Sequence, residues 1–83
     1  MISELKTALN EKTLTIGTER TLKKLRNSEA KVVLLASNCP ERTRKDVEHY
    51  AKLSNARVVN LDISNADVGI ACKKQFYISV LCY

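Results

Sequence analysis

The strongest constraint on the fold is an uninterrupted apolar segment near the middle of the chain, residues 32–36, with the sequence Val-Val-Leu-Leu-Ala. A strand that exposes one face to water alternates apolar and polar residues, and this segment does not alternate. It also begins with two β-branched residues, which favour strands. The segment is therefore predicted to be the central strand of a parallel or mixed sheet, buried on both faces. It is much shorter than the roughly 20 residues that a membrane-spanning helix needs.

Helical and strand patterns alternate along the chain. Helices are indicated where apolar residues recur at spacings of three and four, and strands where apolar residues alternate with polar ones or run together. In chain order, the predicted elements are a helix over residues 3–11, a strand around 14–16, a helix that opens at 17–18, the strand over 31–36, a helix capped by Thr43, a strand over 57–61, a helix over 64–72 and a strand over 77–82. This order predicts an α/β fold in which helices cover both faces of a mixed four-stranded sheet.

The chain is predicted to form a single domain over residues 1–83. Only two glycines and one proline interrupt the sequence, and neither a linker-like stretch nor an internal repeat is present. A chain of this length can bury one small core. The N-terminal residues lack the basic start and the apolar stretch of a signal peptide, so the expected location is the cytoplasm, with no membrane segment.

Residues that usually carry catalysis or bind metals are sparse. The three cysteines, at positions 39, 72 and 82, include no C-x-x-C pair, and His49 is the only histidine. This pattern disfavours a disulfide framework and a zinc site, and the spacing around His49 gives no pair of nucleophile and base. Gly17 lacks the further glycines of a dinucleotide-binding or phosphate-binding loop. We therefore expect a protein that is not an enzyme and that has no cofactor, metal ion or small-molecule substrate.

Positive charge is concentrated in one segment. The formal net charge is +5, and residues 17–31 supply +3 of it, from five basic and two acidic residues. Such a segment is typical of a surface that binds a polyanion, for example a nucleic acid. A basic helix is also often a solvated face without a partner, and charge alone leaves both interpretations open.

The start of the basic helix is suited to contact with RNA. Gly17 and Thr18 open a helix whose first amides and dipole attract phosphate, and Arg20 and Lys23 follow about one turn apart. The alternative is that Gly17 serves only a tight turn.

Two later segments offer groups that recognise bases. Asn38, in the turn after the central strand, has an amide that both donates to and accepts from a base edge. Residues 73–76, Lys-Lys-Gln-Phe, join positive charge to an aromatic ring of the kind on which unpaired bases stack. The alternatives are that Asn38 caps local backbone and that the ring of Phe76 packs in the core.

Four segments in ordered spacing, residues 17–25, 35–40, 46–54 and 68–72, together resemble a known family. They read Gly-Thr-Glu-Arg-Thr-Leu-Lys-Lys-Leu, Leu-Ala-Ser-Asn-Cys-Pro, Asp-Val-Glu-His-Tyr-Ala-Lys-Leu-Ser and Val-Gly-Ile-Ala-Cys. Over residues 17–82, the chain is similar to the large-subunit ribosomal proteins of archaea and eukaryotes that belong to the kink-turn RNA-binding superfamily. Four segments in order are far more specific than any one of them.

The resemblance implies a three-layer α/β/α sandwich that grips a sharply bent RNA helix-loop-helix. It also implies that the start of the second helix contacts tandem sheared G·A pairs, and Gly17 and Lys23 match that element. Asn38 matches a polar residue after the central strand. Lys74 and Phe76 match a basic and an aromatic position in the last loop, where the ring packs near an extruded base.

Two further basic residues, Arg20 and Arg44, are assigned from their charge alone as phosphate contacts. The candidate RNA-binding residues are therefore Gly17, Thr18, Glu19, Arg20, Lys23, Asn38, Arg44, Lys74 and Phe76.

The chain departs from the family pattern at two positions of this site. Glu19 stands where the ribosomal family usually has lysine and other superfamily members have asparagine. A carboxylate cannot donate to base acceptors, and it repels phosphate. Lys73 stands where a glycine is common, which predicts a different loop shape. The chain also stops at Tyr83, where relatives usually continue.

The resemblance predicts a structural constituent of the large ribosomal subunit that binds ribosomal RNA at a kink-turn or similar bent internal loop. The expected partners are ribosomal RNA and neighbouring ribosomal proteins, and the expected location is the cytoplasmic ribosome. An alternative is a core component of a small guide or processing ribonucleoprotein, a branch that typically has Asn-Glu where this chain has Glu19 and Arg20. Outside this class, the alternative is an adaptor that binds another protein through a sheet or helix face.

Overall fold

The computed structural model describes residues 2–10 and 14–83 of the chain. Helices and strands alternate along these residues in the predicted order. The elements are α1 (Ile2–Leu9), β1 (Thr15–Ile16), α2 (Thr18–Arg26), β2 (Val32–Leu35), α3 (Glu41–Ser54), β3 (Arg57–Asn60), α4 (Asn65–Ala71) and β4 (Val80–Cys82). Within the described residues, none of the helices is long and apolar enough to cross a membrane.

The strands form one mixed sheet in the spatial order β1-β4-β2-β3. β2 pairs in parallel with β3, with Val33 opposite Val58, and antiparallel with β4, with Leu34 opposite Leu81. β1 pairs antiparallel with the other side of β4. Parallel neighbours require a crossover connection, and α3 supplies it between β2 and β3. The apolar segment is thus an inner strand of a mixed sheet, as the sequence predicts.

Both faces of the sheet are covered. Leu34 points into a core that contains Leu5 of α1 and Val68 of α4, whereas Leu35 points into a second core that contains Leu25 of α2 and side chains of α3. Successive residues of a strand point to opposite faces, so a strand between two cores must be apolar throughout. The predicted three-layer α/β/α sandwich is confirmed.

The predicted bounds differ from the structure by more than one residue at three elements. Residue 11, the predicted end of the first helix, lies outside the described residues, and α1 ends at Leu9. The predicted cap at Thr43 is wrong, because α3 begins at Glu41 and the carbonyl of Pro40 accepts a hydrogen bond from the Arg44 amide at 2.9 Å. Proline has a backbone angle close to that of a helix, so the helix starts directly after it.

The last strand is shorter than the predicted 77–82. It begins at Val80, since the Ile78 amide donates to the carbonyl of Asn65 at the start of α4, at 3.1 Å. The amide of Ile78 is therefore held by the start of α4 rather than by a neighbouring strand.

Three helices end without glycine. Ser28, Asn55 and Lys73, which follow α2, α3 and α4, have positive φ angles of 56°, 59° and 59°. At each of these helix ends, backbone amides that follow the helix donate to carbonyls in the last turn of the helix. In this pattern the residue in the left-handed conformation is usually glycine. Residues other than glycine occupy all three of these left-handed positions, which is consistent with the presence of only two glycines in the chain. Lys73 therefore takes a left-handed conformation of the kind that glycine adopts without strain.

Replacing Lys73 with glycine is expected to raise the free energy of unfolding. A left-handed conformation costs a residue with a side chain about 1–2 kcal/mol, and glycine removes this cost. The extra freedom of glycine in the unfolded chain offsets about 0.5–1 kcal/mol of the stability gained. A net increase of roughly 0.5–1 kcal/mol is expected in urea unfolding. Lys74→Gly is the matched control, because Lys74 has no positive φ and should lose stability. A loss in both variants would show that Lys73 is unstrained.

Candidate nucleic-acid interface

An open groove lies between the start of α2 and the loop that precedes β4. It has a volume of about 970 Å³ and is called the basic groove below. Its lining residues are Leu14, Thr15, Ile16, Gly17, Thr18, Arg20, Lys23, Lys24, Asn27, Glu29, Lys74, Phe76, Tyr77, Ile78 and Ser79.

Gly17 joins β1 to α2 at the floor of the basic groove. Its amide donates to the carbonyl of Val80 at 3.0 Å, and its carbonyl accepts from the Thr21 amide in the first turn of α2, also at 3.0 Å. Its backbone angles, φ 118° and ψ 150°, lie in a region that is open essentially only to glycine. No side chain caps α2 at Gly17, so the helix end with its positive partial charge is left open to an anion.

Positive side chains line both walls of the basic groove. Arg20 and Lys23 project from α2, and Lys74 lies on the opposite wall. Lys24 pairs with Glu29 at 3.6 Å, whereas the other three cations make no ion pair with any residue that the structure describes. With four cations and one acid, the lining has a formal charge of +3. The groove is thus suited to a polyanion.

An aromatic ridge borders the same groove. Phe76 and Tyr77 are 57% and 75% exposed. The alternative in which the ring of Phe76 packs in the core is therefore wrong. A Cβ atom on Gly69 would lie 2.2 Å from the carbonyl oxygen of Phe76, which shows that the loop backbone lies directly against α4. Sequence reasoning missed Tyr77, although its place beside Phe76 in an interrupted strand pattern was a usable signal.

Asn38 lies outside the basic groove. Its side-chain oxygen accepts from the backbone amide of Asn65 at 2.7 Å, and its side-chain nitrogen donates to the Asn65 side-chain oxygen at 3.1 Å. The Asn65 side chain in turn donates to the hydroxyl of Ser79, a groove residue, at 3.3 Å. Asn38 therefore caps the start of α4 and reaches the groove only through Asn65. Sequence reasoning missed Asn65, for which the polar pair at the helix start, Ser64 followed by Asn65, was the only signal.

Arg44 also lies away from the basic groove. Its guanidinium donates to the carbonyl of Ala36 at 3.2 Å and to the side-chain oxygen of Asn60, so it joins α3 to the ends of β2 and β3. Glu19 is exposed in the first turn of α2 and is not part of the groove lining. Of the nine candidate residues, the structure brings six together in the groove, namely Gly17, Thr18, Arg20, Lys23, Lys74 and Phe76.

Reactive groups are not part of this surface. Cys39, Cys72 and Cys82 are free thiols, and burial raises the pKa of each of them. A thiol with a raised pKa is protonated at neutral pH and is a poor nucleophile. The described residues contain no group of three or more His, Cys, Asp or Glu side chains that could hold a metal ion. The groove instead presents positive charge, backbone amides and aromatic rings.

Comparisons with known proteins agree on one family. The family model described as "Ribosomal protein L7Ae/L30e/S12e/Gadd45 family" matches residues 1–83. The large ribosomal subunit protein eL30 of Methanocaldococcus jannaschii is 36% identical over 77 residues, which are 93% of this chain and 70% of that protein. The eL30 protein of Oryza sativa subsp. japonica is 39% identical over 67 residues, 81% of this chain and 60% of that protein. The eL30B protein of Schizosaccharomyces pombe is 41% identical over 66 residues, 80% of this chain and 56% of that protein.

The chain thus spans less than two thirds of the length of these rice and fission yeast relatives. Among solved structures, a protein with unknown function from Bacillus halodurans C superimposes with a TM-score of 0.82. That match is 22% identical and covers 98% of this chain and 80% of the other, so it shows the fold alone. Because the family model matches the whole sequence and the eL30 relatives match most of it, the chain belongs to the ribosomal protein L7Ae/L30e/S12e/Gadd45 family.

Proposed function

We propose that the chain is a structural protein of the large ribosomal subunit that binds ribosomal RNA at a kink-turn or similar bent internal loop. The observation that carries this proposal is the basic groove, in which one surface combines an open helix start, three cations with no ion pair to the described part of the chain, and an exposed aromatic ring. The names of the relatives, large ribosomal subunit proteins, support the ribosomal setting. Neighbouring ribosomal proteins are the further partners in this proposal.

Binding works by selection of shape. A sharp bend crowds phosphates of both strands together, and the repulsion between them keeps the bent form of free RNA scarce. Arg20 and Lys23 on one wall and Lys74 on the other place positive charge on both sides of such a bend. The bent form is therefore bound more tightly than the extended form and becomes populated.

Each end of the groove has a distinct role in recognition. The first amides of α2 have no partners within the helix and donate to base acceptors at non-Watson–Crick pairs. Gly17 has no side chain to hinder close approach of the RNA at this point. Phe76 offers an exposed ring on which an unpaired base stacks. The carboxylate of Glu19 lies outside the lining, so it does not meet phosphate within the groove.

The two candidates outside the groove act indirectly. Asn38 holds Asn65, and Asn65 holds the hydroxyl of Ser79 in the groove wall. Arg44 holds the carbonyl of Ala36, directly after β2 and before the turn with Asn38. We assign both residues to the support of the RNA-binding surface.

Replacing Lys23 with alanine is expected to weaken binding to a kink-turn RNA and to lower the slope of log K against log salt by about one unit, because one phosphate contact is lost. The measurement is a salt-titrated binding assay with purified protein. Lys45→Ala is the matched control, since Lys45 is an exposed lysine on α3 outside the groove and should leave the slope unchanged. An unchanged slope for Lys23→Ala would remove Lys23 from the contact surface.

A further inference from the structure

Positive charge is not spread evenly along the basic groove. One end, called the near end below, lies at Gly17, where α2 begins beside the start of β4. The far end lies past the last turn of α2, where Asn27 and Glu29 line the wall. The nine residues of α2 separate the two ends by roughly 13 Å. Among the described residues that line the groove, Glu29 is the only acid.

Glu29 is held at the far end by its backbone as well as by its side chain. Its amide donates to the carbonyl of Lys24 at 2.8 Å, and its carboxylate pairs with the Lys24 ammonium at 3.6 Å. The side chains of Lys24 and Glu29 are 38% and 54% exposed, and an ion pair with this exposure is weak by itself. The backbone contact, however, keeps the carboxylate close to Lys24 even when the ion pair opens.

The position of Glu29 divides the cations of the groove into two kinds. Arg20, Lys23 and Lys74 make no ion pair with any described residue, so their charge is available to phosphate. The charge of Lys24 is offset by that of Glu29, and the carboxylate repels a phosphate that approaches this lysine. The far end of the groove is therefore close to neutral, although it contains a lysine.

We propose that Glu29 is a specificity-determining residue that restricts phosphate binding in the basic groove to the near end and the middle. This inference rests on the proposed function and concerns the RNA stem that continues from the bend along α2. Phosphate contacts alone do not distinguish one RNA from another, so a groove that held phosphates along its whole length would also bind uniform duplex RNA. By neutralising Lys24, Glu29 confines the contacts to the bend and weakens the binding of duplex RNA.

The test varies the length of the RNA stem in the salt-titrated binding assay. Kink-turn RNAs with the same loop carry stems that end close to the bend or that extend by a further helical turn, and each stem is lengthened in turn. For one of the two stems, Glu29→Gln is expected to tighten binding of the long-stem RNA about 5-fold at low salt and to steepen the slope of log K against log salt by about one unit, because Lys24 then neutralises one phosphate. Binding of the short-stem RNA should change by less than about twofold, since its phosphates do not reach the far end.

Uniform duplex RNA provides the readout of specificity. Glu29→Gln should tighten its binding by the same factor as that of the long-stem RNA, because the freed Lys24 contacts a phosphate in both. The preference for the short-stem kink-turn RNA over duplex RNA should therefore fall about 5-fold.

Further variants locate the effect. Glu48→Gln is the matched control, because Glu48 is an exposed acid on α3 outside the groove and its replacement changes the net charge by the same amount. It should leave the affinity for each RNA within about twofold, since distant charges are screened by salt. Lys24→Ala alone should also change the affinity for long-stem RNA by less than about twofold, but it should abolish the gain in the Glu29→Gln background.

The outcomes separate this inference from the proposed function. If the unmodified protein prefers kink-turn RNA over duplex RNA but Glu29→Gln gives no gain with long-stem or duplex RNA, the inference is overturned and the proposed function stands. An equal gain for short and long stems, or the same gain from Glu48→Gln, would also overturn it, since only net charge would then matter. A gain that persists without Lys24 would do the same. Absence of any preference for the kink-turn in the unmodified protein would instead overturn the proposed function, and with it the inference.

Discussion

Replacing Gly69 with alanine is expected to lower the free energy of unfolding by about 2–3 kcal/mol, the upper part of the range for overpacked sites. The added Cβ would lie 2.2 Å from the carbonyl oxygen of Phe76 and 3.3 Å from its carbonyl carbon, and backbone atoms cannot rotate away as a side chain can. The loop must therefore move off α4. Urea or thermal unfolding measures the loss, and for a domain of this size the melting temperature should fall by roughly 10–20 °C.

Helix propensity alone predicts that this substitution would raise the free energy of unfolding. Gly69 lies within α4, and glycine to alanine in a helix interior normally gains about 1 kcal/mol. Ala71→Gly is the matched control, because Ala71 is exposed at the end of the same helix and should lose at most about 1 kcal/mol through propensity alone. A Gly69→Ala variant as stable as the unmodified protein would mean that the loop does not rest on α4.

Reversing the charge of Arg20 and Lys23 together, with glutamate at both positions, is expected to weaken kink-turn RNA binding by roughly 100-fold or more at moderate salt. Each residue is expected to lose a charge-assisted contact of about 1.5–3 kcal/mol. Both side chains are exposed on α2, so the fold should be retained, which circular dichroism checks. A salt-titrated binding assay measures the loss of affinity.

Arg42 and Lys45 provide a matched control for this reversal. They are exposed, lie three positions apart near the start of α3, and lie outside the basic groove. Their double replacement by glutamate changes the net charge by the same amount, so it measures the effect of overall charge. It should cost less than about 10-fold, since long-range repulsion is screened by salt. Equal losses in the two double variants would mean that binding depends on net charge and not on the groove.

The layer architecture could be predicted from the sequence because its signals are local. The apolar run of β2 identifies a strand with cores on both faces, and the alternation of helix and strand patterns identifies the sandwich. The start of β4 could not be predicted in the same way. Its start is fixed by the contact between Ile78 and Asn65, which are distant in sequence, and no periodicity within one segment reports such a contact.

The candidate site could be predicted to the extent that its residues are neighbours in sequence. Gly17, Arg20 and Lys23 lie on one helix start, so their spacing alone places them together. Asn38 and Asn65 are 27 positions apart, and the sequence offered no sign that one caps the helix of the other. Arg44 was assigned from charge, and charge does not specify the direction of a side chain. In the structure its guanidinium bonds to Ala36 instead.

The central claim is that the basic groove recognises the shape of a bent RNA. It is tested most directly by the binding of the purified chain to a kink-turn RNA and to a control in which the tandem G·A pairs are replaced by Watson–Crick pairs, each over a range of salt concentrations. We predict tighter binding to the kink-turn, with a preference that persists as salt rises, because contacts to the bent form do not all depend on counterion release. Equal binding of the two RNAs that disappears at high salt would contradict the claim and would leave only a basic surface.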